Sequence, residues 1–313
     1  MYQQPRIENI EKYLRELPIN TVEIDLSECG LTELPDLSRF TELKILDCHN
    51  NNLTRLPIFN KSLVSINCSY NEIRELPEFN ENLLEIYCNN NRIKLVPKFN
   101  EKLETIFIEF NELEILPEFN KNLKYINCNR NQIRELPDFN DSLVEINCSN
   151  NEIKKIPKLN KNLLSLVCSY NEITILPSFN EYLLLIKCSH NYLTILPPFN
   201  EKLETIDCSY NYIFYITQIN DKLKTLTYSN NEIYEVIDSY NMNIIKDKNK
   251  IINQFKMLYY SLRLKHQLRD WLWKRVREPK IKQYYSPENL MKLLNKLNNE
   301  NDEDELDEVV NMW

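Results

Sequence analysis

An asparagine returns every twenty residues along this chain, at 51, 71, 91, 111, 131, 151, 171, 191, 211 and 231. No other feature restricts the fold so tightly. An aliphatic residue stands two places after each asparagine, from Leu53 and Ile73 through to Ile213 and Ile233. Proline recurs at 57, 77, 97, 117, 137, 157, 177 and 197, always behind Leu, Val or Ile, and leucine at 63 and every twentieth position to 223. A short fixed period marks a solenoid, in which each unit buries its apolar face only against its neighbours. Length then says little about domain number, because such an array grows lengthwise around one continuous core.

Within one unit, Leu123-Lys-Tyr-Ile126-Asn-Cys128-Asn-Arg-Asn131-Gln-Ile133 resembles the leucine-rich repeat signature L-x-x-L-x-L-x-x-N-x-L, with Cys in the third apolar slot. The twenty-residue length, and the Leu-Pro pair that closes each unit, are most similar to the short repeats of secreted bacterial effectors. The resemblance covers residues 21 to 237, about eleven copies. It implies an α/β repeat solenoid: a right-handed arc with short parallel strands on its concave face, an extended or polyproline-like convex side, and helical caps at both ends.

The residues agree with that expectation. Tyr125-Ile126-Asn127 reads as a short strand with Ile126 inward and its neighbours outward. Strands stacked in parallel about 4.8 Å apart would make an arc roughly 50 Å long. Twenty residues leave no room for a helix on the far side, and proline is at home in an extended return path such as Leu136-Pro-Asp-Phe-Asn140. The asparagines at 71, 91, 111, 131, 151, 171, 191 and 211 are expected to form a structural ladder of amides bonded to the backbone of adjacent turns. A buried amide is tolerated only where its partners are met. A second asparagine column, 60 to 220, follows a phenylalanine column (59, 79, 99, 119, 139, 179, 199). We read the asparagines as turn-forming and the rings as a convex spine.

Eight of the nine cysteines, at 48, 68, 88, 128, 148, 168, 188 and 208, share one phase of the repeat. Free cysteine behaves as a small buried apolar residue, so these read as an interior thiol ladder. Redox or metal chemistry needs accessible thiolates at suitable geometry. The sequence offers none, and no metal or cofactor is expected.

Four regions follow: a capping helix over 1–20, the solenoid over 21–237, a helical segment over 238–299 and an acidic tail over 300–313. Residues 6 to 17 place Ile7, Ile10, Leu14 and Leu17 on one helical face. The first repeat is irregular, with Cys29 in the asparagine slot and a loop two residues longer than its successors. Beyond 237 the period stops. Residues 246–278 form a basic amphipathic pattern ending before Pro279, and a second helix begins at Ser286-Pro-Glu288. Three readings stand for this region. Its basic face pairs with the acid run Glu300 to Glu308 while its apolar face caps the last repeat; or it docks a second partner; or it binds nucleic acid or a membrane surface, a role the acid run opposes.

The formal net charge of −8 argues against a whole-surface nucleic-acid binder. The amino terminus lacks the apolar stretch of a signal peptide, and no run approaches membrane-spanning length, so an intracellular protein is expected. Alanine is absent and Gly30 is the one glycine, with an excess of Asn, Ile, Lys, Leu and Tyr. Such a bias resembles proteins of AT-rich genomes. Together with the string Arg269-Asp-Trp-Leu-Trp-Lys-Arg-Val-Arg-Glu-Pro279 and the ending Asp304-Glu-Leu-Asp-Glu-Val-Val-Asn-Met-Trp313, it makes the whole chain resemble a giant-virus leucine-rich repeat protein of the mimivirus type. That resemblance implies host cytoplasm or virion as its place.

Function is written in the positions that vary. No constellation for catalysis stands outside the repeat: a single glycine excludes a phosphate-cradling loop, and His49, His190 and His266 lack motif partners. Some effectors with similar repeats append a ubiquitin ligase with a catalytic cysteine, but no cysteine follows Cys208, so the thioester chemistry has no carrier. The expectation is a non-enzymatic scaffold for a protein partner, with no small-molecule substrate. The repeat at 103–122 departs most from the consensus, with Ile108 for Cys and then Glu109-Phe110. Tyr87, Phe107, Phe110, Tyr125 and Arg130 are the expected contacts, with Tyr170 and Tyr210 as a second patch, because aromatics and Arg dominate interface energetics. Rings that only cover gaps between strands, an adaptor working through its tail, and a structural virion component remain open alternatives.

Overall fold

A computed structural model describes residues 9–214, 216 and 220–232, with the isolated residues 7, 274 and 278. The helices expected over 246–278 and from Ser286, and the acidic tail, lie outside the described residues. The chain divides into two units after Asn253; the repeats belong to the first.

Eleven three-residue strands form one sheet in sequence order: β1 Glu23–Asp25, β2 Ile45–Asp47, β3 Ser65–Asn67, β4 Glu85–Tyr87, β5 Thr105–Phe107, β6 Tyr125–Asn127, β7 Glu145–Asn147, β8 Ser165–Val167, β9 Leu185–Lys187, β10 Thr205–Asp207 and β11 Thr225–Thr227. All pairs are parallel and in register, so that Ile106 faces Ile126 and Ile126 faces Ile146. The pairing β1–β2 keeps this register across its longer loop, with Ile24 opposite Leu46. A one-residue slip would turn each central aliphatic residue to solvent, so burial fixes the register. Ile66, Ile86, Ile106, Ile126, Ile146, Leu166, Ile186 and Ile206 are each at most 2 % exposed. Full burial of such a side chain contributes about 1.5–3 kcal/mol.

Two asparagine columns bracket every strand from β3 onward. After the strand, Asn131 Nδ2 donates to the carbonyls of Ile108 (3.0 Å) and Cys128 (3.1 Å), and its Oδ1 accepts from Leu113 N–H (3.0 Å). The same bonds recur at Asn71, Asn91, Asn111, Asn151, Asn171, Asn191 and Asn211. Before the strand, Asn120 Nδ2 donates to Asn100 O and Leu103 O, and its Oδ1 accepts from the N–H groups of Asn122 and Leu123. The second column therefore does more than turn the chain: it also ties each turn to the one before it.

On the far side, Phe59, Phe79, Phe99, Phe119 and Phe139 stack in one file with centroids 6.3–6.4 Å apart. Leu159 interrupts the file, and Phe179–Phe199 resumes it at 6.3 Å. At the amino-terminal end stands a seven-residue helix, α1 (Ile10–Glu16), shorter than the pattern over 6–17 predicts. Asn9 caps it by accepting from Lys12 N–H. Arg39, from the long first loop, donates to the carbonyls of Leu14 (3.0 Å) and Leu17 (2.6 Å). The Leu14 carbonyl also accepts from the Leu17 N–H (3.3 Å), whereas Leu17 O is one of the carbonyls a helix end leaves without an intrahelical partner. No described helix is long and apolar enough to cross a membrane.

Candidate interaction surface

The first and third residues of each strand face away from the core, and the turn that follows carries the next exposed position. That turn residue adopts left-handed backbone in every unit: Glu28, Asn50, Tyr70, Asn90, Phe110, Arg130, Asn150, Tyr170, His190, Tyr210 and Asn230 have φ between 53° and 56°. None of these eleven is glycine, although a Cβ in this region costs about 1–2 kcal/mol. None is β-branched either, the class for which the conformation is worst. The backbone has no freedom here, because ladder bonds hold it on both sides: Phe110 N–H reaches Asn129 O (2.9 Å), and Asn111 N–H reaches Arg130 O (3.2 Å). The result is a fixed pedestal on which the side chain is free to vary.

The five residues of the first expected patch form two pairs and a neighbour. Tyr87 and Phe107, paired across β4 and β5, meet edge to face at 5.3 Å. Arg130 lies over the Phe110 ring at 4.8 Å, on adjacent pedestals. Tyr125 is 38 % exposed on β6, and no ring contact among the described residues joins it to either pair. The Tyr87 hydroxyl donates to Glu85 Oε2 (3.4 Å). Burial, and then the Glu85 charge, push its phenol above the ordinary value. Two residues beyond Phe107, Glu109 holds one carboxyl oxygen shielded from solvent with no hydrogen-bond partner. Burial pushes this carboxyl above its ordinary 4.5. The sequence noted Glu109 only as a departure from consensus.

The second patch is larger than Tyr170 and Tyr210. His190 lies flat between them, at 4.0 Å from one ring and 4.1 Å from the other, both within 11° of parallel. Beside this stack Tyr192 and Tyr212 pair at 6.2 Å. Sequence reasoning treated His190 as isolated, yet the period itself places 170, 190 and 210 on successive turns, and that signal was there to be used.

Chemistry beyond contact finds little foothold. The eight in-phase thiols are buried, and burial pushes Cys168 up to about 12, so the reactive thiolate is scarce at neutral pH. No group of His, Cys, Asp or Glu among the described residues could hold a metal.

No family model matches the chain, and no curated protein matches it. Solved structures do. YopM of Yersinia pestis, described as a leucine-rich effector protein, is 30% identical, with a TM-score of 0.62 over 69% of this chain and 68% of that one. This chain belongs to the leucine-rich repeat family. YopM of Yersinia enterocolitica WA-314 is 26% identical with a TM-score of 0.58, over 69% of this chain. The match spans 57% of that protein, less than two thirds of its length. The functional domain of InlJ from Listeria monocytogenes, which includes a cysteine ladder, shares the leucine-rich repeat fold at 22% identity and a TM-score of 0.51, over 67% of this chain and 54% of that one.

Proposed function

We propose that the protein is a non-enzymatic scaffold that binds a protein partner on the concave face of its leucine-rich repeat arc. The observation that carries this reading is a division of labour within the unit. Asparagine, leucine, cysteine and phenylalanine columns are consumed by the frame, while the outward strand positions and the left-handed pedestal vary and hold exposed rings. Phe110, Tyr125, Tyr170 and Tyr210 are 38–50 % exposed, and aromatic side chains with Arg are the commonest interface hot spots. Tyr87, Phe107, Phe110, Tyr125 and Arg130 form the primary contact, and Tyr170 with Tyr210 the secondary one. The helix α1 caps the amino-terminal end of the array. The likeness to giant-virus proteins makes the partner a host or viral protein met inside the host cell or the virion.

The test is capture of partners from host lysate by the intact protein and by Phe107→Ala/Phe110→Ala, with melting curves for both. A partner lost with the double variant while the melting transition holds supports the scaffold. Retention of every partner by the double variant rejects this face as the contact. A second reading rests on the Lys and Arg content of residues 246–282, twelve cations against Asp247, Asp270 and Glu278: there the tail recruits a second component. Truncation after 285 that alone abolishes capture favours that adaptor.

A further inference from the structure

The unit containing β5 breaks two successive columns at once, just before its left-handed pedestal. Ile108 replaces cysteine, Glu109 stands where the other repeats from residue 43 onward carry Ser, Asn or His, and Phe110 occupies the strained pedestal. Backbone bonds run through this stretch without interruption, from Asn90 N–H to Glu109 O and from Phe110 N–H to Asn129 O, both 2.9 Å. Glu109 therefore sits between Asn89 and Asn129 of the adjacent turns. Neither Nδ2 donates to it, and the two amides turn their oxygens to other partners, Asn89 Oδ1 accepting from Ser69 (2.6 Å) and Asn129 Oδ1 from Asn150 (2.9 Å). The carboxyl keeps a shielded, unpartnered oxygen, as do the Asn140 amide (Oδ1) and the Ser149 hydroxyl among the described residues; of the three, Glu109 alone can carry a formal charge. An unpartnered acceptor lowers stability, and Glu109 as a whole is only half-buried, so its carboxyl can still meet a donor from outside.

Charge says which donor. Among the described residues Glu85, Glu109 and Glu145 have no ion-pair partner, whereas Lys124 is held by Glu104 (2.8 Å) and Arg130 is engaged over Phe110 (4.8 Å). The nearby rings of Tyr87 and Phe107 provide faces that attract cations. We propose that this surface receives an arginine or lysine side chain of the partner protein, its cationic head donating to Glu109 beside the Tyr87 and Phe107 rings. The proposal deepens the scaffold reading and rests on it. A guanidinium or ammonium would give the half-buried carboxylate a charge-assisted hydrogen bond.

Four pools of synthetic nonapeptides, random except for a fixed central Arg, Lys, Gln or Glu, test it against the immobilised full-length protein. The Arg and Lys pools are expected to be retained about tenfold better than the Gln pool, the weight of one hydrogen bond to a charged group. Glu109→Gln is expected to erase that preference, and Glu112→Gln, which changes the net charge equally, to leave it. Glu109→Ser, which restores the column's usual residue, is expected to lose the preference and melt higher than the wild type. A cation preference that survives Glu109→Gln overturns the proposal, as does a Glu109→Ser variant that melts lower. Retention of all pools without preference, lost in Phe107→Ala/Phe110→Ala, removes the cation and keeps the scaffold. Failure to retain any pool removes both.

Discussion

Around β8 to β10 the rings of Tyr170, His190 and Tyr210 lie flat on one another at 4.0 and 4.1 Å. Around β4 to β6 the rings of Tyr87 and Phe107 meet edge-on, Phe110 takes a cation, and one Glu109 oxygen is left without a partner. The two regions share one frame: the same strand register, the same asparagine bonds and the same left-handed pedestal. Only the side chains placed on that frame differ. In the stack each ring satisfies the next, and the unit obeys the consensus. In the other group the consensus is broken and a polar atom is orphaned. Counting aromatics would rank the stack first. Asking which groups lack partners points away from the stack, to Glu109 and to Asn140 and Ser149 around β7, and of these only Glu109 can carry the charge that would draw a cation.

Partner capture should separate the two regions most. Phe107→Ala/Phe110→Ala is expected to weaken capture about thirtyfold, as loss of a hot spot does, and Tyr170→Ala/Tyr210→Ala by less than about threefold. Equal losses, read from titrated pull-downs, would show that both groups contact the partner. The frame beneath should not distinguish them. Asn111→Ala and Asn191→Ala each strip bonds to buried backbone groups, and each is expected to cost about 1–3 kcal/mol in urea melts. A clear inequality would mean that the frames are not equivalent.

The third effect is one of pH. Burial raises the Glu109 carboxyl in the folded protein, so folding favours its protonated form. Its contribution is therefore most favourable below the ordinary 4.5 and is lost as pH rises through the raised value. The melting temperature of Glu109→Gln relative to wild type is expected to climb between about pH 4 and about pH 7; a flat difference would show that the carboxyl is not desolvated. The smallest effects are His190→Ala and Arg130→Gln, about 1 kcal/mol or less each in thermal melts, the scale of one stacked or cation–π contact.

The frame was legible because each of its columns repeats one residue type or a close relative, so that Leu123, Ile126, Cys128 and Asn131 announce their roles at least eight times over. The second asparagine column was read as turn-forming. Asparagine after Phe119 is also the generic turn residue, and its partners lie seventeen and twenty positions back, where sequence shows no sign of a bond. The pedestal was hidden for the opposite reason: residues as different as Tyr170, Arg130 and Asn150 share one backbone conformation. The clue was the lack of Val, Ile or Thr there. Glu109 could be seen to depart from its column, but that its oxygen lacks a donor depends on where two neighbouring asparagine amides point.

Each ladder asparagine bonds within its own turn and to the turn before it, so excising residues 131–150 would leave Asn151 facing the same carbonyls that Asn131 now uses. The array is thereby a ruler with fixed graduations. Four strand spacings, about 19 Å, separate β5 from β9, and deleting one unit would shorten that to about 14 Å without disturbing either ring group. The distance between the two ring groups can thus be reset in whole steps of about 4.8 Å while the groups themselves stay as they are.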